Sequence, residues 1–288
     1  MSRGRGRAIV TVGINPGRNF APYLNRFDRT IRRTGFACAD SVLIWGSDWP
    51  PGSPTHTECH YAFKVHAVKE AARRGATSIL WLDSSGHAIK PLEPLWEVIE
   101  REGHYLCGTY SDCGDKLGAW SSDHCLEHFN ISRDEAMRLP LFSGACFGLD
   151  LRHERSREFY DRLLSYAVPE HFNGTHKSGL RMPGAQIPTE EGKRMSDDPR
   201  CMGHRSDEPY MVLIAKELGM QSYGHGLFAG GLGAQANTVL CSGYNIPPES
   251  EIEPNLEVIA EHTIDNNLVT AGGLVLDAGC RNFTFTRE

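Results

Sequence analysis

The residues best suited to chemistry lie in three short clusters. In Thr77-Ser-Ile-Leu-Trp-Leu-Asp-Ser-Ser-Gly-His87, an apolar run of strand length stops at Asp83, and Ser84 and Ser85 follow it. A carboxylate and two hydroxyls at the end of a buried strand stand where open α/β sheets bind their ligands, at the carboxyl ends of the strands. The plain alternative is a turn, which Asp and Ser begin in any protein. A second cluster, Gly203-His-Arg-Ser-Asp207, precedes a helix of about 207–218. There Asp207 reads either as the helix's cap or as a carboxylate turned to a ligand. The third is Ser143-Gly144, in a strand of small residues that suggests close approach by a ligand or another backbone.

A cation accompanies them. Residues 58–75 form the clearest helix, with Tyr61, Val65, Val68 and Ala72 on one apolar stripe and Gly75 closing it. Lys69, Glu70, Arg73 and Arg74 lie off that stripe. Lys64 falls about 60° from the centre of the stripe, on the side of Ala67 and Ala71. From there its ammonium either extends into a cleft or snorkels to water.

The elements that must position these residues alternate. Ala8 to Ile14 reads as a first strand, running into Gly13-Ile-Asn-Pro-Gly-Arg18 and a helix of about 19–34. That order suits a nucleotide, although the loop is not a GxGxxG fingerprint and a dinucleotide is disfavoured. Arg26, Arg29, Arg32 and Arg33 read as a solvated helix face. A second strand, 41–46, ends in Ser47-Asp48-Trp49, and Pro50, Pro51 and Pro54 extend the loop beyond it. After the Asp83 strand come a helix of about 94–102 and a strand over 104–109. Trp120 to Phe129 reads as a helix, and Ser132-Arg-Asp-Glu135 as a capping box opening another. A strand of 141–151 and a helix of 154–167 follow. Residues 168–203, rich in Gly and Pro, read as a lid loop. The tail from 230 is Gly-rich, then β-like around 256–264 and 272–286. Strands alternating with helices give an α/β class: a mostly parallel mixed sheet flanked by helices. The domain reading is 1–229 as one unit, with a flexible arm at 1–7, and 230–288 as a C-terminal extension packed on it.

Composition excludes several classes. At 288 residues, with 40% apolar and 23% charged side chains, the chain is an ordinary globular protein with room for a large core. A net charge of −6 argues against a dedicated nucleic-acid binder. No apolar run reaches membrane-spanning length and no signal-peptide pattern opens the chain, so the expected location is the cytoplasm. The nine cysteines contain no CxxC pair and read as reduced thiols, with Cys38 and Cys146 among core positions.

One longer pattern is familiar. Tyr61-Ala-Phe-Lys64 on a helix, then Ile79-Leu-Trp-Leu-Asp83-Ser-Ser85, then Ile89-Lys-Pro-Leu92, resembles the donor-binding half of GT-A-fold glycosyltransferases. In that family a strand of this kind ends in a DxD motif. Phe142-Ser-Gly-Ala-Cys-Phe-Gly-Leu-Asp150 is similar to a later strand of that fold, and Gly203-His-Arg-Ser-Asp207 to its late donor-facing segment. More narrowly, the chain resembles glycosyltransferase-like proteins of bacteria and phages with an LWLDSS variant. The resemblance covers about residues 8–220.

It implies transfer of a sugar from a nucleotide-diphosphate donor, most readily a UDP-sugar. Gly13, Ile14, Arg18, Asp48 and Tyr61 would lie at the nucleotide and Lys64 at the diphosphate. Asp83, Ser84 and Ser85 would lie at the metal or sugar, with Ser143 and Gly144 bordering the cleft. Trp120 and Asp123 would face the acceptor or the sugar hydroxyls, and Asp207 would be the general base or a sugar contact. A divalent metal, Mn²⁺ or Mg²⁺, would be held by Asp83 with Asp207 or His204, or through water by Ser85. Ser85 stands where the motif has its second carboxylate, which leaves metal dependence open. The acceptor is open between a base of phage DNA, with arginines at 3–7 and 26–33 on phosphates, and a small molecule, saccharide or protein. Two rivals remain: a sugar-nucleotide nucleotidyltransferase and a catalytically decayed binding protein.

Overall fold

The computed structural model describes residues 6–14, 19–108, 116–174, 195–223, 226–230, 237–242, 274–275 and 286–287. Arg18, most of the 1–7 arm, residues 175–194 of the expected lid and nearly all of 243–288 lie outside the described residues.

The main sheet has five strands: β1 (Arg7–Val12), β2 (Ser41–Trp45), β3 (Ser78–Leu82), β5 (His104–Gly108) and β6 (Phe142–Asp150). Their order is β2-β1-β3-β6-β5. β1 pairs in parallel with β2 (Ile9 opposite Val42) and with β3 (Ile9 opposite Leu80). β6 runs antiparallel between β3 and β5. Four strands therefore point one way and one returns between them. The return matters for function. It brings the start of β6, Ser143 and Gly144, to the edge where β1, β2 and β3 end.

Alternation along the strands assigns the two faces. Ala8, Val10, Ile79 and Trp81 pack into one apolar cluster with α2 (Ala62–Arg73), α6 (Glu154–Tyr166) and α8 (Asp207–Glu217). Ile9, Leu80 and Leu82 pack into the other, with α1 (Ala21–Phe27) and α3 (Glu93–Glu102). Strands covered on both faces explain the continuous apolar runs. Buried side chains such as Val65 and Val68 of α2 contribute about 1.5–3 kcal/mol each.

A second, three-stranded sheet joins β4 (Gly86–Ala88), β7 (Phe228–Gly230) and β8 (Leu240–Ser242) in the order β4-β8-β7. Residues 240–242 thus support the turn that carries Asp83. Two short strands, Leu274–Val275 and Thr286–Arg287, pair antiparallel. The remaining helices are short: α4 (Asp123–His128), α5 (Arg133–Ala136) and α7 (Pro169–Phe172).

Several expectations need correction. The first helix is α-helical only over Ala21–Phe27 and continues as a π-helical turn, Asp28–Arg33. Arg26 is not on a solvated face. It is 7% exposed, and its guanidinium donates to the Ser85 carbonyl at 2.9 Å. The helix expected from residue 58 starts at Ala62, because Tyr61 adopts a left-handed backbone (φ 58°) and Thr55 and Glu58 bond to each other in a preceding turn. Glu70, expected off the buried stripe, is itself buried and pairs with Arg73 and Arg74. Of Trp120 to Phe129 only Asp123–His128, the six-residue α4, is helical; Trp120 itself closes a 3₁₀ turn over Leu117–Ala119. The described cysteines are free thiols; Cys146 is buried, but Cys38 is only half-buried.

Candidate active site

The site lies where β1, β2 and β3 end and β6 begins. Lys64 is in the first turn of α2, which starts at this edge because the chain crosses from β2 to β3. The helix packs closely on the sheet, so Lys64 is only 3% exposed. Its ammonium does not snorkel. It donates to the Gly144 carbonyl at 2.8 Å, lies 3.1 Å from Asp207 Oδ2 and 3.8 Å from Asp83 Oδ1, and sits 4.7 Å from the centre of the Tyr61 ring. Burial alone would lower the lysine's pKa. The neighbouring carboxylates win, and it is held above its ordinary value as a permanent cation.

Asp207 is the first residue of α8, where a helix end favours negative charge. It is 3% exposed. Burial pushes its carboxyl up to about 6, against the pull of Lys64. Its Oδ2 has no aligned hydrogen bond, so the contact with Lys64 is an oblique ion pair. The residue before it is strained: Ser206 is fully buried at φ 51°, ψ −106°. Such a backbone costs about 1–3 kcal/mol and clusters at functional sites. Glu208, which sequence reasoning missed, accepts from the Gly144 N–H at 3.0 Å and pairs with Arg205 at 3.4 Å.

Gly144 explains the weakness expected of its strand. A Cβ there would stand 2.7 Å from Lys64 Nζ and 2.9 Å from Asp207 Oδ2. The close approach is therefore by the ion pair. Ser143 is buried beside it, its hydroxyl accepting from the Ala145 N–H.

Asp83 follows β3, and its N–H donates to the Ala145 carbonyl. Its side chain is 23% exposed, against 4% for its two charged neighbours, Lys64 and Asp207. It is the carboxylate of the group open to a ligand. Trp81, two residues earlier, donates its indole N–H to Asp83 Oδ1.

Other expected residues are placed differently. Ser84 is buried. Ser85 is buried too, and its hydroxyl is 3.0 Å from that of Ser242, turned into the small sheet. His204 uses both ring nitrogens on backbone: Nδ1 accepts from the Ser122 N–H, so Nε2 carries the proton and donates to the His171 carbonyl. Trp120 is buried, its ring covered by the Arg205 guanidinium at 4.0 Å, and offers no face to an acceptor. Asp123 binds Arg133 and the Ser196 hydroxyl, tying α4 to α5 and to residues 195–206. Gly13 donates to the Trp45 carbonyl, and Leu24 leaves no room for a Cβ there. Ile14 packs on the core. Asp48 is exposed, near the end of β2.

A metal held by Asp83 with Asp207, His204 or Ser85 does not fit this donor set. His204 has no free nitrogen, Ser85 faces away, and the Asp207 oxygen is paired with Lys64. Among the described residues no three His, Cys, Asp or Glu side chains converge as ligands.

The sheet, its helical layers and the polar cluster at its carboxyl edge define an α/β protein with a site in the usual place for that class. No known family's sequence profile matches the chain, and no curated protein matches it. Among solved structures it is similar to mouse xyloside xylosyltransferase 1, at 12% identity and a TM-score of 0.45, over 84% of this chain and 99% of that one. It is similar also to a glycosyltransferase involved in glycosylation of the major capsid of PBCV-1, at 9% identity and a TM-score of 0.42, over 89% and 98%. A third likeness, to the WbbM bifunctional glycosyltransferase, has a TM-score of 0.36 at 10% identity and covers 56% of this chain and 34% of that one. With every score below 0.5, the functional reading rests on the site's own residues.

Among the described residues no helix is long and apolar enough to cross a membrane.

Proposed function

We propose that this chain transfers a sugar from a nucleotide-diphosphate donor bound across the ends of β1, β2 and β3. The observation that supports this most is the Asp83 carboxylate, one-quarter exposed at a strand end and backed by the buried Lys64–Asp207 pair. Fixed charges held dry beside an open carboxylate suit a reaction in which charge develops on a leaving diphosphate and on an attacking hydroxyl. In this reading the nucleotide lies along Gly13, Ile14 and Asp48, with Tyr61 over the Lys64 ammonium. Asp83 contacts the transferred sugar, and Lys64 supplies the positive charge nearest the diphosphate. If the reaction inverts the anomeric carbon, Asp207 serves as base, its raised carboxyl being suited to accept a proton near neutrality.

The acceptor in this proposal is a small molecule or saccharide rather than DNA. A nucleic acid needs free cations on its phosphates. Arg7 is instead buried on Glu93 and Glu100, Arg26 is buried against Ser85, and the exposed Arg32 pairs with Asp28.

One observation favours a second reading, a binding protein that has lost catalysis: the position two after Asp83 carries a hydroxyl turned into the small sheet. Asp83→Asn separates the two. With UDP-glucose, UDP-galactose and UDP-xylose as donors, wild-type protein should release UDP and the variant should not, at an unchanged melting temperature. UDP bound but never formed from any donor would favour the binding protein. Full turnover by Asp83→Asn would remove Asp83 from the site.

A further inference from the structure

Trp81 reads from sequence as part of an apolar strand, and its ring does serve the core: it is 0% exposed and packs on Phe63 and Phe147 at centroid distances of 5.9 and 6.4 Å. Its nitrogen does something else. Residues two apart on a strand share a face, so Trp81 and Asp83 both lie on the α2 side. The indole N–H points along the strand at the carboxylate. It is shared between Asp83 Oδ1 and the Gly144 carbonyl, each 3.1 Å away. That carbonyl also takes the Lys64 ammonium at 2.8 Å, and Glu208 accepts from the N–H of the same residue, in the preceding peptide, at 3.0 Å.

We propose that Trp81 is a positioning residue, whose indole N–H fixes the orientation of the Asp83 carboxylate and its separation from Lys64. The proposal rests on the glycosyl-transfer reading for its consequence, and on geometry alone for the hydrogen bond. Asp83 stands after the last residue of its strand and is the most exposed of the three charged groups, so it is the one most in need of a fixed partner. Lys64 lies 3.8 Å from it, outside hydrogen-bond range, and Asp207 repels it. The ring, packed against Phe63 of α2 and Phe147 of β6, cannot follow a moving carboxylate. It therefore sets the position rather than adapting to it, as a support for a binding group must.

Trp81→Phe keeps the ring packing and deletes the N–H. Two measurements on the full chain test the idea. In ¹⁵N-tryptophan-labelled protein, the Trp81 indole resonance, one of five and assigned by its absence in Trp81→Phe, should shift when Asp83→Ala removes the acceptor. An unmoved resonance would overturn the proposal without reference to any ligand. In calorimetry, with the tightest-binding of UDP-glucose, UDP-galactose and UDP-xylose as the probe, Trp81→Phe should weaken UDP-sugar binding about tenfold, the equivalent of about 1.4 kcal/mol, while UDP binding changes less than twofold. A general loosening of the core would weaken both alike. Equal losses, or no loss for the UDP-sugar, would overturn the positioning role. Should Trp81→Phe unfold, Asp83→Ala supplies the same comparison: it should lose the same UDP-sugar-over-UDP selectivity. If the wild-type protein binds none of the three UDP-sugars, the donor reading fails on its own, and the indole resonance alone decides the hydrogen bond.

Discussion

Replacing Lys64 by Met removes the charge from the centre of the site and keeps a side chain of similar length. At 3.1 Å and an effective dielectric constant of about 20, the attraction to Asp207 is about 5 kcal/mol. The charged hydrogen bond to the Gly144 carbonyl adds about 1.5–3 kcal/mol. Against both stands the cost of burying the ammonium, which methionine does not have. Breaking a buried pair from one side nets about 3–5 kcal/mol of destabilisation, because the remaining charge is left without compensation. Asp207→Asn should cost less, since Lys64 keeps Asp83 at 3.8 Å and the neutral amide escapes the burial penalty that holds the Asp207 carboxyl at about 6. The double variant should be well short of the sum, with a coupling of about 2 kcal/mol or more. Urea denaturation of the four proteins at pH 7.5 and pH 5 measures this. Without Lys64, the Asp207 carboxyl rises further above its unfolded value, so the folded state binds the extra proton. Stability of Lys64→Met then increases as pH falls, and its deficit should shrink at pH 5. Additive single variants, or a deficit independent of pH, would refute the buried ion pair as the organising feature of the site.

Four further outcomes follow from the same geometry. The Asp207 carboxyl is held at about 6, above its unfolded range, so the stability it contributes is complete below about pH 4 and lost as pH rises through about 6, about 3 kcal/mol in all; pH-dependent urea midpoints should lose this component in Asp207→Asn. If Asp207 is the base, the transfer rate should climb with pH to a plateau, with its half-point near 6, in stopped assays from pH 5 to 8. Gly144→Ala forces a methyl group between Lys64 and Asp207 and should cost about 1–3 kcal/mol, with donor affinity falling in the same variant. Ser206→Gly relieves the strained backbone and removes a buried hydroxyl that lacks a hydrogen-bond partner, so thermal unfolding should show a gain of about 1 kcal/mol despite glycine's greater entropy loss.

How much of this was legible before the fold depended on the range of the interaction. Strands β1 and β3 could be read because burial on both faces imposes continuous apolar runs, β2 because its apolar run packs on both clusters although this edge strand is only half-buried, and α2 because its stripe repeats at helical period. Lys64 could be suspected from its angle on that helix, but two outcomes were open. What closes the choice is the return of β6 antiparallel beside β3, which places the Gly144 carbonyl 80 residues away in sequence at hydrogen-bond distance. No local pattern encodes that register. The misread residues fail for the same reason. Arg26 leads a run of arginines (Arg29, Arg32 and Arg33) on into the π-helical turn, where solvent is the ordinary expectation, yet the turn after β3 comes down on it with a carbonyl. Ser85 occupies a motif position that implies a ligand, but its direction is set by Ser242 on a strand 157 residues later. His204 carries the right atoms for a metal and loses them to two backbone groups distant in sequence, at the cap of α4 and in α7. Trp81 is the instructive exception. Its spacing from Asp83, two residues on at the end of the strand, favours one face for both. The sequence therefore put the two side chains near each other, while the packing of the ring on Phe63 and Phe147 aims its N–H at the carboxylate. Place in the sequence, at a strand end, a helix start and one angle of a helix, singled out Asp83, Asp207 and Lys64, while Glu208 gave no such signal. Their separation into an open group, Asp83, and a buried pair, Lys64 with Asp207, follows from where the strands stop and which helices cover them.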